Sequence, residues 1–237
     1  MASTGLDIRN NILYGMGTCT DTEIVVPESV TQVYRNAFTG ESRQFSIEFL
    51  GTMSYMYPYA FNSCGVTSVK LNNTSSLGIG EYCFQNCKNL TIVDGSSKIV
   101  ILASYVFLNS GLTSFDLNLS YNISPSFGPF FNCRNLKDVT VSAQTITIAP
   151  YTFAHCSSIE QIIIPEGVRV ISQGAFLDCT NLSSITIPST VEFIGKEAFR
   201  GCTNLEYVNM APIRSGLTRT IRSRALMGTR LCSHSNV

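Results

Sequence analysis

Short bursts of alternating apolar and polar residues recur along this chain, separated by turn-forming residues. In Leu182-Ser183-Ser184-Ile185-Thr186-Ile187-Pro188, the alternation over Ile185-Thr186-Ile187 sends isoleucine to one side and threonine to the other. That period of two predicts a short strand with isoleucine inward. Pro188 ends it, because proline has no N–H for a strand ladder. Val191 and Ile194 point back inside, and Ala198-Phe199 follow in a tight helical or 3₁₀ turn on the opposite face. Cys202 and Leu205 lead into the next burst.

The unit repeats. Phe38, Phe61, Phe84, Phe107, Phe130, Phe153, Phe176 and Phe199 are spaced by 23 residues throughout. Three residues after phenylalanine stands a cysteine in six of the eight repeats: Cys64, Cys87, Cys133, Cys156, Cys179 and Cys202, with Glu41 and Ser110 as exceptions. Five residues before it stands Val33, Met56, Ile79, Leu102, Ile148, Ile171 or Ile194. The repeats of Phe61 and Phe107 run one residue short after the cysteine column and recover it before the next phenylalanine.

One such unit cannot bury its apolar edge alone, so stacked neighbours must share a core. The pattern predicts a mainly β solenoid of about eight 23-residue turns. Short parallel strands line one face, and turns or short 3₁₀ or helical segments line the other. The expected organisation is a lead-in or partial cap over residues 1–18, the solenoid over 19–211, and a basic tail over 212–237. That tail is irregular, a degenerate cap or disordered, since Arg222 stands where the next phenylalanine falls due.

Composition refines this. Charged residues are only 14% of the chain, so serine, threonine and asparagine do most of the solvation. Formal net charge is zero, which gives no global argument for nucleic acid or an anionic membrane as partner. The balance is uneven, with no acid after Glu206 but five arginines: Arg214, Arg219, Arg222, Arg224 and Arg230. No stretch approaches the roughly 18 apolar residues of a membrane helix. The N-terminal residues lack the basic start and apolar run of a signal peptide.

The unit from Ile164 to Leu205, IPEGVRVISQGAFLDCTNLSSITIPSTVEFIGKEAFRGCTNL, closely resembles the BspA-like leucine-rich repeat family of bacterial and protist surface proteins. The resemblance runs from about Cys19 to Met210. It implies a cell-surface or secreted protein that adheres to host matrix or to other microbes. It implies no catalytic residue and no cofactor.

Candidate chemistry is sparse. Six cysteines in one column read as buried reduced thiols, small apolar groups with a weak S–H donor. A line of thiols does not converge tetrahedrally on zinc. His155 adjoins Cys156, but sequence neighbours are not a catalytic pair, and the other histidine, His234, lies in the tail. Sequons begin at Asn72, Asn118, Asn122 and Asn181. Asn181 belongs to a column with Asn89, Asn135 and Asn204, expected to satisfy turn backbone groups.

Binding is expected on the outward strand residues, which stacking aligns into two columns. One contains Asp138, Gln161 and Tyr207, and the other Glu48, Lys70, Asp94 and Asp116. Asp94, Asp116 and Asp138 make a small acidic patch. The leading expectation is a non-enzymatic, adhesion-type protein-recognition module at the surface or secreted. The alternative is a cytoplasmic repeat scaffold for protein–protein interaction.

Overall fold

In the computed structural model, residues 1–74, 76–117, 127–213 and 216–230 are described. The sequons at Asn118 and Asn122, and the tail residues Arg214, Cys232 and His234, lie outside them.

The chain winds as a β-solenoid. Its front face carries parallel strands in three hydrogen-bonded groups. Glu23–Val26, Phe45–Phe49, Val66–Leu71 and Ile92–Asp94 form the first, and Ser114–Leu117 with Asp138–Val141 the second. Gln161–Ile163, Ser184–Ile187 and Tyr207–Met210 form the third. Register follows the repeat, with Ile162 opposite Ile185 and Ile185 opposite Val208.

A second line of strands runs along the back. The inward residues Val33, Met56, Ile79 and Leu102 sit in short strands that pair in parallel, as do Ile148, Ile171 and Ile194 further on. With one inward residue per turn, two or three residues suffice for each of most of these strands.

The segment around each phenylalanine is a flat hydrogen-bonded turn rather than a helix. Residues two before and two after phenylalanine hold positive φ, as at Tyr59 (61°) and Ser63 (54°), or Tyr151 (56°) and His155 (61°). Two left-handed residues per turn break helical continuity. The backbone donors point to the next turn instead. Phe61 N donates to Cys83 O at 2.9 Å, and Phe153 N to Ala175 O at 2.8 Å. Ser96–Lys98 form a 3₁₀ helix.

Flat turns let the phenylalanines stack. Successive rings from Phe38 to Phe199 lie 4.8 to 5.6 Å apart and within 23° of parallel. All eight rings are buried. The cysteines complete this core. Phe130 O accepts the Cys133 N–H of its own turn and the Cys156 S–H of the next, each at 3.1 Å. The same thiol-to-carbonyl bond joins Cys87 to Phe61, Cys133 to Phe107, Cys179 to Phe153 and Cys202 to Phe176. A buried carbonyl thus fills both lone pairs. Cysteine suits the column because it is small, apolar and still a donor.

The short repeats cut the corner against the preceding turn. Gly65 N donates to Glu41 O, and Gly111 N to Cys87 O. A Cβ on Gly65 would fall 2.1 Å from Arg43 O, and one on Gly111 2.2 Å from Lys88 O. Glycine is required there by close approach of two backbones.

At the start, Asp7–Arg9 and Ile12–Gly15 form a hairpin whose second strand pairs with Gln32–Val33. Asn10 and Asn11 both hold positive φ, as a two-residue hairpin turn demands. At the other end, Thr220–Ile221 pair with Phe193–Ile194. Phe199 N donates to Ala225 O, so Ala225 takes the place of Ala198 and Leu226 that of phenylalanine. Residues 220–230, within the span that the sequence pattern leaves irregular, thus make one more turn.

Four tail arginines are tied to the last regular turns. The Arg219 guanidinium donates to Pro188 O, Val191 O and Ala211 O at 2.9, 2.8 and 3.2 Å. Arg222 lies over the Phe193 ring, Arg224 faces Glu197 at 3.9 Å, and Arg230 pairs with Glu206.

Candidate functional site

The outward residues of the front strands form two columns because parallel pairing keeps the repeat in register. Glu48 stands opposite Lys70, and Lys70 opposite Asp94. Asp116 faces Thr140, Ser114 faces Asp138, and Gln161 and Tyr207 flank Ser184.

The near end of this face is electrically closed. Lys70 Nζ lies 2.9 Å from Glu48 Oε1, and Asn72 Nδ2 donates to the same oxygen at 2.7 Å. The Asn72 hydrogen bond, then that of Lys70, holds the Glu48 carboxyl below its ordinary range. Glu48 in turn raises Lys70.

The middle is open. Asp94, Asp116 and Asp138 are exposed and make no ion pair among the described residues. Asp94 and Asp116 lie on neighbouring turns, but the sheet is interrupted between them. There the Asp116 N–H takes Ser96 Oγ at 3.1 Å instead of a strand carbonyl. Beside Asp116 a shallow cleft of about 440 Å³ is lined by Ser97, Leu117, Thr140, Ser142 and Gln144.

Large apolar side chains stand exposed on the same face: Ile92 (45%), Ile163 (82%) and Tyr207 (70%). Ile163 replaces the threonines that flank it in its column, Thr140 and Thr186. The anomaly is visible in the sequence as an isoleucine among hydroxyls.

No catalytic pairing arises from the cysteine–histidine neighbours. Cys156 points inward to Phe130 O, while His155 points out, 3.4 Å from Asp178 Oδ2. Burial pushes the Cys133 and Cys202 thiols up to about 12, and raises Cys156 and Cys179 well above the ordinary thiol range. Such thiols stay protonated and unreactive near neutral pH. Among the described residues, no three of His, Cys, Asp or Glu gather as a metal site would require. No described helix is long and apolar enough to cross a membrane.

The asparagine column that matters is not the expected one. Asn89, Asn135, Asn181 and Asn204 make no side-chain hydrogen bond within the described residues. Two positions after phenylalanine, however, Asn109 Nδ2 donates to Asn86 Oδ1 at 2.9 Å and Asn132 Nδ2 to Asn109 Oδ1 at 2.5 Å. The tyrosines also stack outside the core, Tyr59 on Tyr82 at 5.2 Å and Tyr82 on Tyr105 at 5.4 Å. Both series fall on the left-handed positions of the phenylalanine turn.

The BspA-type leucine-rich repeat region matches residues 7–127 and 126–234, in six copies. The chain belongs to the BspA-type leucine-rich repeat family. It therefore shares the architecture of a repeat recognition module.

Three solved structures are similar to this BspA-type chain. A leucine-rich cell surface protein of Faecalibacterium prausnitzii A2-165 is 22% identical over 84% of this chain and 62% of its own, with a TM-score of 0.45. A leucine-rich repeat protein of Bacteroides ovatus is 20% identical over 87% and 76%, with a TM-score of 0.43. The T. pallidum leucine-rich repeat protein is 21% identical over 85% and 74%, with a TM-score of 0.45. The chain thus spans less than two thirds of the Faecalibacterium protein. No curated protein matches it significantly in sequence.

Proposed function

We propose that this chain is a non-enzymatic, adhesion-type module that recognises a protein partner through its front strand face, at the cell surface or after secretion. The observation that carries the reading is the exposure of Ile163 (82%) and Tyr207 (70%) on the same face as three exposed aspartates that make no ion pair among the described residues. Exposed aromatic and aliphatic anchors amid charge are the composition of a binding hot spot. The acids favour a partner with a basic patch. Glu48 and Lys70 border that surface, and Gln161 lies within it on the strand of Ile163. Membership of a family with cell-surface relatives supports the location.

The test is affinity for a panel of host matrix proteins, comparing the native chain with Ile163→Ser/Tyr207→Ser. Loss of about tenfold or more supports the reading. A matrix protein held equally well by both contradicts the assigned face.

A second reading, a cytoplasmic scaffold using the same face, is favoured by the eight buried free cysteines, which suit a reducing compartment. Protease shaving of intact cells separates the two. Cleavage of the chain supports the surface, and protection supports the scaffold.

A further inference from the structure

A polar groove of about 570 Å³ lies along the outer edge of the phenylalanine turns, apart from the front strands. The one-residue shortening at Ser110-Gly111 draws this turn in against Cys87 O, leaving a notch between its two neighbours. Lys88 stands on one wall and Arg134 on the other, each four residues after its phenylalanine, where the short turn has only Gly111.

We propose that this groove binds an acidic oligosaccharide, whose sulfate or carboxylate groups are held by Lys88 and Arg134 over a floor of Asn86, Asn109 and Asn132.

The floor is ordered so that donors, not acceptors, remain. Arg134 Nε donates to Asn132 Oδ1 at 2.7 Å. Asn132 and Asn109 then pass the same bond down to Asn86. Each carbonyl oxygen of the chain is engaged, while each amide keeps an unused N–H, and Asn86 keeps both. The bonds share one direction, so they polarise one another and sharpen the free N–H groups at the Asn86 end.

The walls add two cations and no anion. Lys88 makes no ion pair among the described residues, and Arg134 keeps its two terminal nitrogens. Two turns set the bases of these side chains roughly 10 Å apart, which is the span of a disaccharide bearing an acid group at each end. Guanidinium and ammonium groups suit sulfate and carboxylate oxygens.

An acidic peptide fits less well. The lining is asparagine, lysine, arginine, serine and glycine, with no aliphatic or aromatic residue to seat a peptide side chain. A ligand polar along its whole length loses nothing in such a groove. The column changes beyond Asn132 to His155 and Asp178, which pair with each other and end the run of donors.

The experiment is calorimetric titration of the whole chain with a sulfated hexasaccharide, its unsulfated counterpart, a uronate oligomer and oligo-aspartate. Saturable binding of the sulfated or the uronate oligomer is expected, with the unsulfated form and oligo-aspartate much weaker. Binding of the sulfated form alone identifies sulfate esters as the source, and of the uronate as well shows that carboxylates suffice. Lys88→Gln/Arg134→Gln should weaken binding by about tenfold or more. Both side chains are exposed, so its melting temperature should not move. Failure of both acidic saccharides to bind, equal binding of oligo-aspartate, or unchanged affinity in the double variant would overturn the proposal.

Discussion

The turns of Phe153 to Phe199 and those of Phe61 and Phe107 share one phenylalanine stack and differ around it. In both groups the rings stack, and the phenylalanine carbonyl is bonded by the thiol of the next turn wherever that turn has a cysteine in the column. The short turns differ in the column, where Cys64 and Ser110 meet the sulfur of the next cysteine rather than the preceding phenylalanine carbonyl. They differ also in the outer loop, where one missing residue brings glycine against a backbone carbonyl and, at Gly111, opens a polar notch. The regular turns specify the solenoid, and departures from regularity specify its surfaces. Ile163 among threonines, and Gly111 between Lys88 and Arg134, are both departures.

The largest expected effect tests the shared interior. Phe176→Ala and Phe107→Ala should each cost about 3–5 kcal/mol by urea unfolding, since each leaves a cavity in the same stack. A much smaller loss for Phe107 would show that the short turns pack differently. Next comes the closing turn, where Arg219→Ala strips donors from three carbonyls at once and should cost about 1.5–3 kcal/mol. An unchanged unfolding midpoint would detach residues 220–230 from the array.

Gly111→Ala should cost about 1–3 kcal/mol by forcing the backbone from Lys88 O. Thr180→Ala, at the same place in a regular turn, should stay within about 0.5 kcal/mol. Equal effects would remove the distinction between the two kinds of turn.

The last effect appears only at alkaline pH and concerns the thiols. A folded pKa raised by burial favours the protonated form, so its contribution is intact below the unfolded value of about 8.5. It is lost as pH rises from there towards the folded value, about 12 for Cys133 and Cys202. Each such thiol should steepen alkaline destabilisation by up to about 1.4 kcal/mol per pH unit in that window. In Cys133→Ser/Cys202→Ser, which keeps hydroxyl donors but cannot ionise, the slope should flatten. An unaltered pH profile would place those thiols outside the core.

Much of the interior was legible because burial demands one residue type at each phase of the repeat. Phe38 to Phe199 and the cysteines three residues on are such positions. The flat turn was hidden because its left-handed sites carry tyrosine, Glu197 or Arg224 as readily as glycine or asparagine. The last turn read only as a degenerate cap or disorder, since Leu226 follows Phe199 by 27 residues and leaves Arg222 at the expected place. The aspartates and Tyr207 of the proposed face could be placed in columns from register. The break at Ser96 and the groove over Asn109 depend on how neighbouring turns meet, which no single repeat encodes.

The central proposal is that buried columns hold the fold while outward residues of the front face carry recognition. The most direct test is urea unfolding and partner affinity measured together on Asp94→Asn/Asp116→Asn/Asp138→Asn. Stability within about 0.5 kcal/mol of the native chain, with partner affinity lost, is the predicted result. Unfolding as early as Phe176→Ala, or full affinity retained, would contradict it.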